Sequence, residues 1–137
     1  MTENQHDTSP VDRFLAAVRT ATIDDCDVWT ADAVLDATVP NWRFHRRGAA
    51  AVRDTYREWF AAPGSFSSLR RMPVPDGEVV QYTFAWVEGG VPHAAHHVHI
   101  LGLRNGRIGA DTVMCGGRWS AALLAEMEAA DEPPRNE

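Results

Sequence analysis

An α+β fold is predicted for this chain of 137 residues, and three observations predict it. Two stretches in the first half carry apolar residues at the 3.6-residue helical period. The second half holds about four runs rich in β-branched and aromatic residues. Between those runs stand Gly89-Gly90 and Asn105-Gly106, pairs that favour two-residue hairpin turns. Helices followed by a meander of antiparallel strands is a layout in which the sheet buries one face against the helices. If the sheet also curls, its concave face and the helices enclose a cavity. At this length one domain is the default, and an apolar content of 45% can fill its core.

The elements follow in order. Residues 1–8 are polar and read as a disordered segment, ahead of a domain over 9–130. Ser9-Pro10 opens a helix, with Ser as N-cap and Pro at the first helical position. Val11, Phe14, Leu15, Val18 and Thr22 give it an apolar face, and it should fade near Ile23. Asp24–Leu35 reads as one short helix or two turns. Ala37–Phe44 reads as a short edge strand around Pro40, because Pro is tolerated at sheet edges. Gly48 breaks the chain. A second helix from Ala49 places Val52, Tyr56, Trp59 and Phe60 on one face and stops at Pro63-Gly64. Ser65–Met72 and Glu78–Glu88 are the first two meander strands, joined by a turn at Pro73–Gly77. Val80, Tyr82, Phe84 and Trp86 share one face of the second. The third strand begins at Val91, the fourth follows Asn105-Gly106, and Gly116-Gly117 ends it. Trp119–Ala130 reads as an amphipathic helix, and 131–137, with Pro133-Pro134, as a disordered tail.

Charge and motifs exclude several classes. The formal charge is −6, and none of the 13 basic residues is Lys. That argues against general binding to nucleic acid or to an anionic membrane, which needs clustered positive charge. Arg43, Arg46, Arg47, Arg53, Arg57, Arg70 and Arg71 do cluster in sequence, as a solvated basic face or a site for an anionic group. Cys26 and Cys115 form no close-spaced metal motif. With no apolar signal region and no long apolar run, a reduced cytoplasmic protein is the expectation. There is no phosphate loop, serine elbow or dinucleotide fingerprint.

Four segments resemble a known family: the helix Val11–Val18; Leu35-Asp36-Ala37-Thr38-Val39-Pro40; Arg47-Gly48-Ala49-Ala50-Ala51-Val52-Arg53 entering the second helix; and Asn105-Gly106-Arg107-Ile108. Their order and spacing, over residues 10–128, resemble the NTF2-like superfamily and its SnoaL-like and ketosteroid-isomerase-like branches. The resemblance implies a cone of N-terminal helices on a curved antiparallel sheet around an apolar pocket. It also implies a homodimer through the convex side, a hydrophobic small-molecule ligand and no cofactor. Its members include isomerases, cyclases, dehydratases, epoxide hydrolases and non-catalytic binding modules, so the fold leaves function open. Phe14, Asn41 and His99 stand where ketosteroid isomerases carry a Tyr, a basic Asp and a protonated Asp. Phe has no hydroxyl, and Asn cannot take a proton near neutral pH. Isomerisation of Δ5-3-ketosteroids by that mechanism is therefore not expected.

The chemistry is expected in the third and fourth strands. Alternation puts His97, His99, Leu101 and Leu103 on one face and His96, Val98 and Ile100 on the other. The side taken by Asp111 depends on the turn. A two-residue type I′ turn at Asn105-Gly106 sets Ile100 opposite Asp111, whereas a type I turn with a bulge at Gly106 sets His99 there. The resemblance, which puts both residues in the pocket, selects the bulge. His99 is then the candidate general acid/base and Asp111 its orienting partner; a structural His–Asp hydrogen bond is the alternative. His97-x-His99 also has the spacing of a metal-binding strand. Such a site would need Asp111 as third ligand, and no metal is expected.

His97, Trp42, His45, Tyr56, Trp59 and Trp86 are the candidate substrate contacts. Trp42 and His45 hold that place because the resemblance sets them at the cone's mouth. Tyr56 brings a hydroxyl to an apolar face. Cys115 is a nucleophile only if a base lowers its pKa, and otherwise an inert thiol. An epoxide hydrolase of this fold uses an Asp–Arg–Asp set, but Arg104 and Arg107 stand at the turn, away from Asp111. Two functions remain: a small cofactor-free isomerase, cyclase or dehydratase acting on a hydrophobic carbonyl or polyketide-like compound, or a ligand-binding or dimeric interaction module without turnover.

Overall fold

A computed structural model describes residues 9–131; the expected disordered ends, 1–8 and nearly all of 131–137, lie outside the described residues. The elements are α1 (Pro10–Thr20), a 3-10 turn (Ile23–Asp25), β1 (Trp29–Val39), β2 (Trp42–Arg47), α2 (Ala49–Trp59), β3 (Gly64–Val74), β4 (Gly77–Glu88), β5 (Val91–Arg104), β6 (Arg107–Ser120) and α3 (Ala121–Ala130). The six strands form one curved, unclosed sheet in the order β2-β1-β6-β5-β4-β3. All neighbours are antiparallel except β1 and β6, which run parallel. No helix among the described residues is long and apolar enough to cross a membrane.

α1 starts as expected, with the Ser9 hydroxyl accepting the Asp12 N–H at 3.0 Å and Pro10 at the first position. It ends at Thr20, earlier than expected, because Ala21 turns left-handed (φ 59°) and returns its N–H to the Ala17 carbonyl. α1 and α2 lie on the concave face. Val11, Phe14, Leu15 and Val18 of α1 and Val52 and Tyr56 of α2 are buried. They meet Leu35, Ala37, Val80, Tyr82, Phe84, Leu101 and Val113 from the strands in one core.

The segment before Pro40 corrects the sequence reading. Trp29–Val39 is a strand of eleven residues, not a helix or turns. From Ala33 onward its burial alternates, with Ala33, Leu35 and Ala37 inward and Asp36 and Thr38 outward. Its three Ala and two Asp are poor strand formers, so local propensity masks the strand. Its pairing with both β2 and β6 overrides that preference. Pro40 sits in a two-residue turn with Asn41 at φ 64°, the pattern of a type II turn. The expected single edge strand is therefore the turn of a hairpin, and β2 is the true edge. Pro75-Asp76 repeats the device, with Asp76 at φ 63°, inside the predicted Pro73–Gly77 turn.

The C-terminal end differs too. β6 passes through Gly116-Gly117 with a register shift opposite His96 and continues to Ser120. The two glycines mark a bulge there rather than the strand's end. α3 is capped by the Ser120 hydroxyl, but none of its side chains is buried, so the expected amphipathic helix has no buried face.

Candidate active site

The β5–β6 hairpin decides the geometry. Asn105 and Gly106 both have positive φ (55° and 74°), and Arg104 pairs with Arg107, so the turn is type I′. The bulge favoured at Gly106 is absent from the turn. One residue is instead inserted at Gly109, between the Gly102–Ala110 and Leu103–Ile108 pairs. Asp111 therefore lies opposite Leu101, and His99 opposite Val113. His99 and Asp111 still share the concave face as diagonal neighbours, a separation that long side chains span. His99 Nδ1 lies 3.1 Å from Asp111 Oδ1. The expected contact forms, by a register neither turn reading gave.

Two tyrosines complete a buried network. Tyr56, on α2, donates its hydroxyl to Asp111 Oδ2 at 2.5 Å. Tyr82, on β4, lies 2.9 Å from His99 Nε2. The proton assignment that satisfies every group has His99 Nδ1–H donating to Asp111 and the Tyr82 hydroxyl donating to Nε2. Burial holds both tyrosine hydroxyls well above their ordinary pKa, and the Asp111 charge adds to the effect. Phe14 meets the His99 ring edge-on at 5.4 Å and Tyr82 stacks on it at 5.5 Å. His99 is wholly enclosed and Asp111 is 2% exposed.

A cavity of about 490 Å³ lies beside this network, lined by Trp59, Phe60, Trp86, Ala95, Val39 and Pro40 together with Glu58, His97, Cys115 and Arg118. His97 lies between cavity and network. Its ring stacks on Trp59 (5.6 Å, 15°) and meets Tyr82 at 5.3 Å. Burial, with smaller contributions from His99 and His96, lowers its pKa to about 3, so the imidazole is neutral at ordinary pH. Its Nδ1 is buried without a hydrogen-bond partner. Burial likewise raises the Cys115 thiol, against the opposing pull of a Gly117 N–H at 3.4 Å. At the mouth Arg118 pairs with Glu88 and lies over the Trp86 ring at 5.1 Å.

The expected contacts divide accordingly. Trp59, Trp86 and His97 line the cavity. Tyr56 reaches Asp111 instead. Trp42 is 70% exposed and lines a separate groove with Phe44 and Arg46. His45 is brought to the opposite face, 3.5 Å from Asp36, because alternation along β2 separates it from Phe44. Both ring nitrogens of His99 are engaged, by Asp111 and Tyr82. Among the described residues no group of three or more His, Cys, Asp or Glu is arranged to hold a metal ion. Tyr82 was legible only as core, although its register opposite His97 follows from the Gly89-Gly90 turn. Glu58 carried one signal, an acidic residue in the last turn of a helix, where the dipole disfavours it.

No family model and no curated protein sequence matches the chain. Solved structures do. An NTF2-like protein of unknown function from Mesorhizobium loti superposes with a TM-score of 0.65 at 17% identity, over 83% of this chain and 94% of that one. The epoxide hydrolase/cyclase-like enzyme SalBIII, described in pyran ring formation in the polyether salinomycin, gives 0.64 at 16% identity, over 88% and 99%. An LEH-like epoxide hydrolase from M. tuberculosis gives 0.62 at 16%, over 77% and 79%. The chain therefore has the NTF2-like fold, as its sequence segments imply.

Proposed function

We propose that the protein is a small-molecule enzyme of the isomerase, cyclase or dehydratase kind, acting on an apolar compound that bears a carbonyl or cyclic ether oxygen. The observation that carries this reading is His97: a neutral imidazole lining an aromatic cavity, with neither ring nitrogen hydrogen-bonded among the described residues and Nδ1 sealed from solvent. With Nδ1 sealed, Nε2 is the ring nitrogen left to meet a bound molecule, and a polar atom covered without a partner costs about 1–3 kcal/mol, which a bound oxygen would relieve. A neutral imidazole is a matched donor to an oxygen that gains negative charge, and a preorganised donor in a water-poor site stabilises such charge strongly.

In this reading His97 touches the substrate. Tyr82, His99, Asp111 and Tyr56 act behind it, fixing the wall on which the His97 ring rests. His99 and Asp111, expected as the acid/base pair, are thus positioning residues. The test is a panel of apolar cyclic ketones and epoxides, with binding followed by quenching of Trp59 and Trp86 fluorescence and turnover by chromatography. His97→Gln should keep binding and lose turnover. Compounds bound by the wild type without any conversion would reject catalysis and leave a ligand-binding module, the reading favoured by the seclusion of His99 and Asp111.

The convex side of the sheet exposes Ile100 (45%) and Met114 (44%) on adjacent strands. We propose a second copy of the chain as its cover. Sedimentation equilibrium, with Ile100→Glu as the disrupting variant, tests it.

A further inference from the structure

We infer that Glu58 is the proton-accepting residue of this cavity, acting opposite the His97 donor. The inference rests on the cavity's being a substrate site, as proposed above. Glu58 is the one carboxylate among the residues lining it. The other polar groups there are poorly suited to take a proton. The Cys115 thiol is kept protonated by burial, Arg118 is a cation paired with Glu88, and His97 stays neutral down to about pH 3.

The surroundings of Glu58 support a purpose beyond solvation. Its neighbours in charge are already matched, Asp54 by Arg57 and Glu88 by Arg118. Glu58 has no ion pair of its own among the described residues. It is the penultimate residue of α2, where the helix carbonyls carry partial negative charge, and it follows the like-charged Asp54 by four residues. Glu58 is exposed and its compensation is the field of the adjacent Arg57 without a contact pair, and an acidic residue kept against the helix dipole fits a working site. Trp59, the next residue, stacks on His97, so one turn of helix holds the acceptor and positions the donor.

The step balances within the cavity. A Glu58 carboxylate oxygen takes the proton from a carbon next to a carbonyl, and the C–H electron pair becomes a C=C bond. The carbonyl π pair moves to oxygen, which accepts the His97 N–H hydrogen bond. In a β,γ-unsaturated carbonyl compound the oxygen pair then re-forms C=O, the new C=C pair shifts to join the α and β carbons, and the former β,γ double bond takes the proton back from Glu58 at the γ carbon, which completes a double-bond isomerisation without any co-reactant.

The experiment uses 5-nitrobenzisoxazole. Loss of its ring C–H proton to a base breaks the N–O bond and releases a coloured cyanonitrophenolate, so it reports a carboxylate base in an apolar site directly. Binding is read separately by tryptophan quenching. The wild type should accelerate the reaction over buffer, and Glu58→Gln should lower kcat at least about tenfold, the lower part of the general-base range being about a hundredfold. KM and melting temperature should stay unchanged, the acid limb of the pH–rate profile should vanish, and Glu58→Asp should restore part of the rate. A bound probe that the wild type does not convert, or a Glu58→Gln variant as fast as wild type, overturns the assignment of Glu58 and leaves the cavity reading intact. A probe that does not bind at all overturns the cavity reading, and this inference with it.

Discussion

Asp111→Ala should cost about 2–6 kcal/mol of unfolding free energy, because it leaves two buried donors without their acceptor. The figure follows from the two donors that Asp111 satisfies, the Tyr56 hydroxyl at 2.5 Å and His99 Nδ1–H at 3.1 Å. Both donors are fully buried, so water cannot replace the lost acceptor. Each orphaned donor costs about 1–3 kcal/mol, and two together give about 2–6 kcal/mol by the same rule. Set against a typical domain stability of about 5–15 kcal/mol, that is a large share. Tyr56→Phe removes only one of the two donors and should cost about 1–2 kcal/mol. In the Asp111→Ala background the same Tyr56 change should cost less, because the hydroxyl has already lost its acceptor. The assay is urea unfolding at pH 7 followed by fluorescence and circular dichroism, over all four members of the cycle. A loss below about 1 kcal/mol for Asp111→Ala, or a cycle additive within about 0.5 kcal/mol, would refute the coupled network.

Three further outcomes are expected. The pKa of His97 is about 3 when folded and ordinary when unfolded, so between pH 6.5 and 3 the unfolded chain binds the extra proton. The contribution of His97 is then full above pH 6.5 and falls by about 1.4 kcal/mol per pH unit below it; His97→Gln should flatten the acid limb of stability against pH, and an unchanged slope would count against the buried neutral ring. Gly77→Ala should be strongly destabilising in thermal melts, since a Cβ there would lie 1.9 Å from the Leu101 carbonyl oxygen, a backbone clash that side-chain repacking cannot relieve. Leu123→Ala on α3 should change stability by no more than about 0.5 kcal/mol, because that side chain is 43% exposed; a larger loss in urea titration would show that the helix has a packing partner.

Much of the fold was legible because its signals are local. Ser9-Pro10, the apolar faces from Val11 and Val52, and the Gly89-Gly90 and Asn105-Gly106 turns each rest on a few adjacent residues. β1 was not, since its three Ala and two Asp weaken the strand signal, and its identity comes from partners far along the chain. The site was legible in composition and misjudged in depth. The period-two pattern set His97 and His99 on one face, but nothing in it says which would reach the cavity and which would be sealed by Phe14 and Tyr82. The bulge at Gly109 shows how narrow that legibility is. A single inserted residue sets which side Asp111 takes, and a glycine within a strand only suggests such an insertion.

The parallel seam between β1 and β6 also bears on how the protein is made. The strand encoded last fills the middle of the sheet, and Leu35 waits for a partner at Asp111, 76 positions later (111 − 35). Pairings so distant close slowly, because the entropy of a large loop is lost before the contacts reward it. A nascent chain that has emerged only as far as β5 holds a β1–β2 hairpin and a β3–β5 meander with nothing to join them, and Tyr56 with no carboxylate to meet. Cys115, Gly117 and Arg118, three cavity residues, belong to that late strand as well. Truncation ahead of Arg107 should therefore yield an aggregation-prone chain rather than a smaller domain, and the cavity arises only when the sheet closes around its final piece.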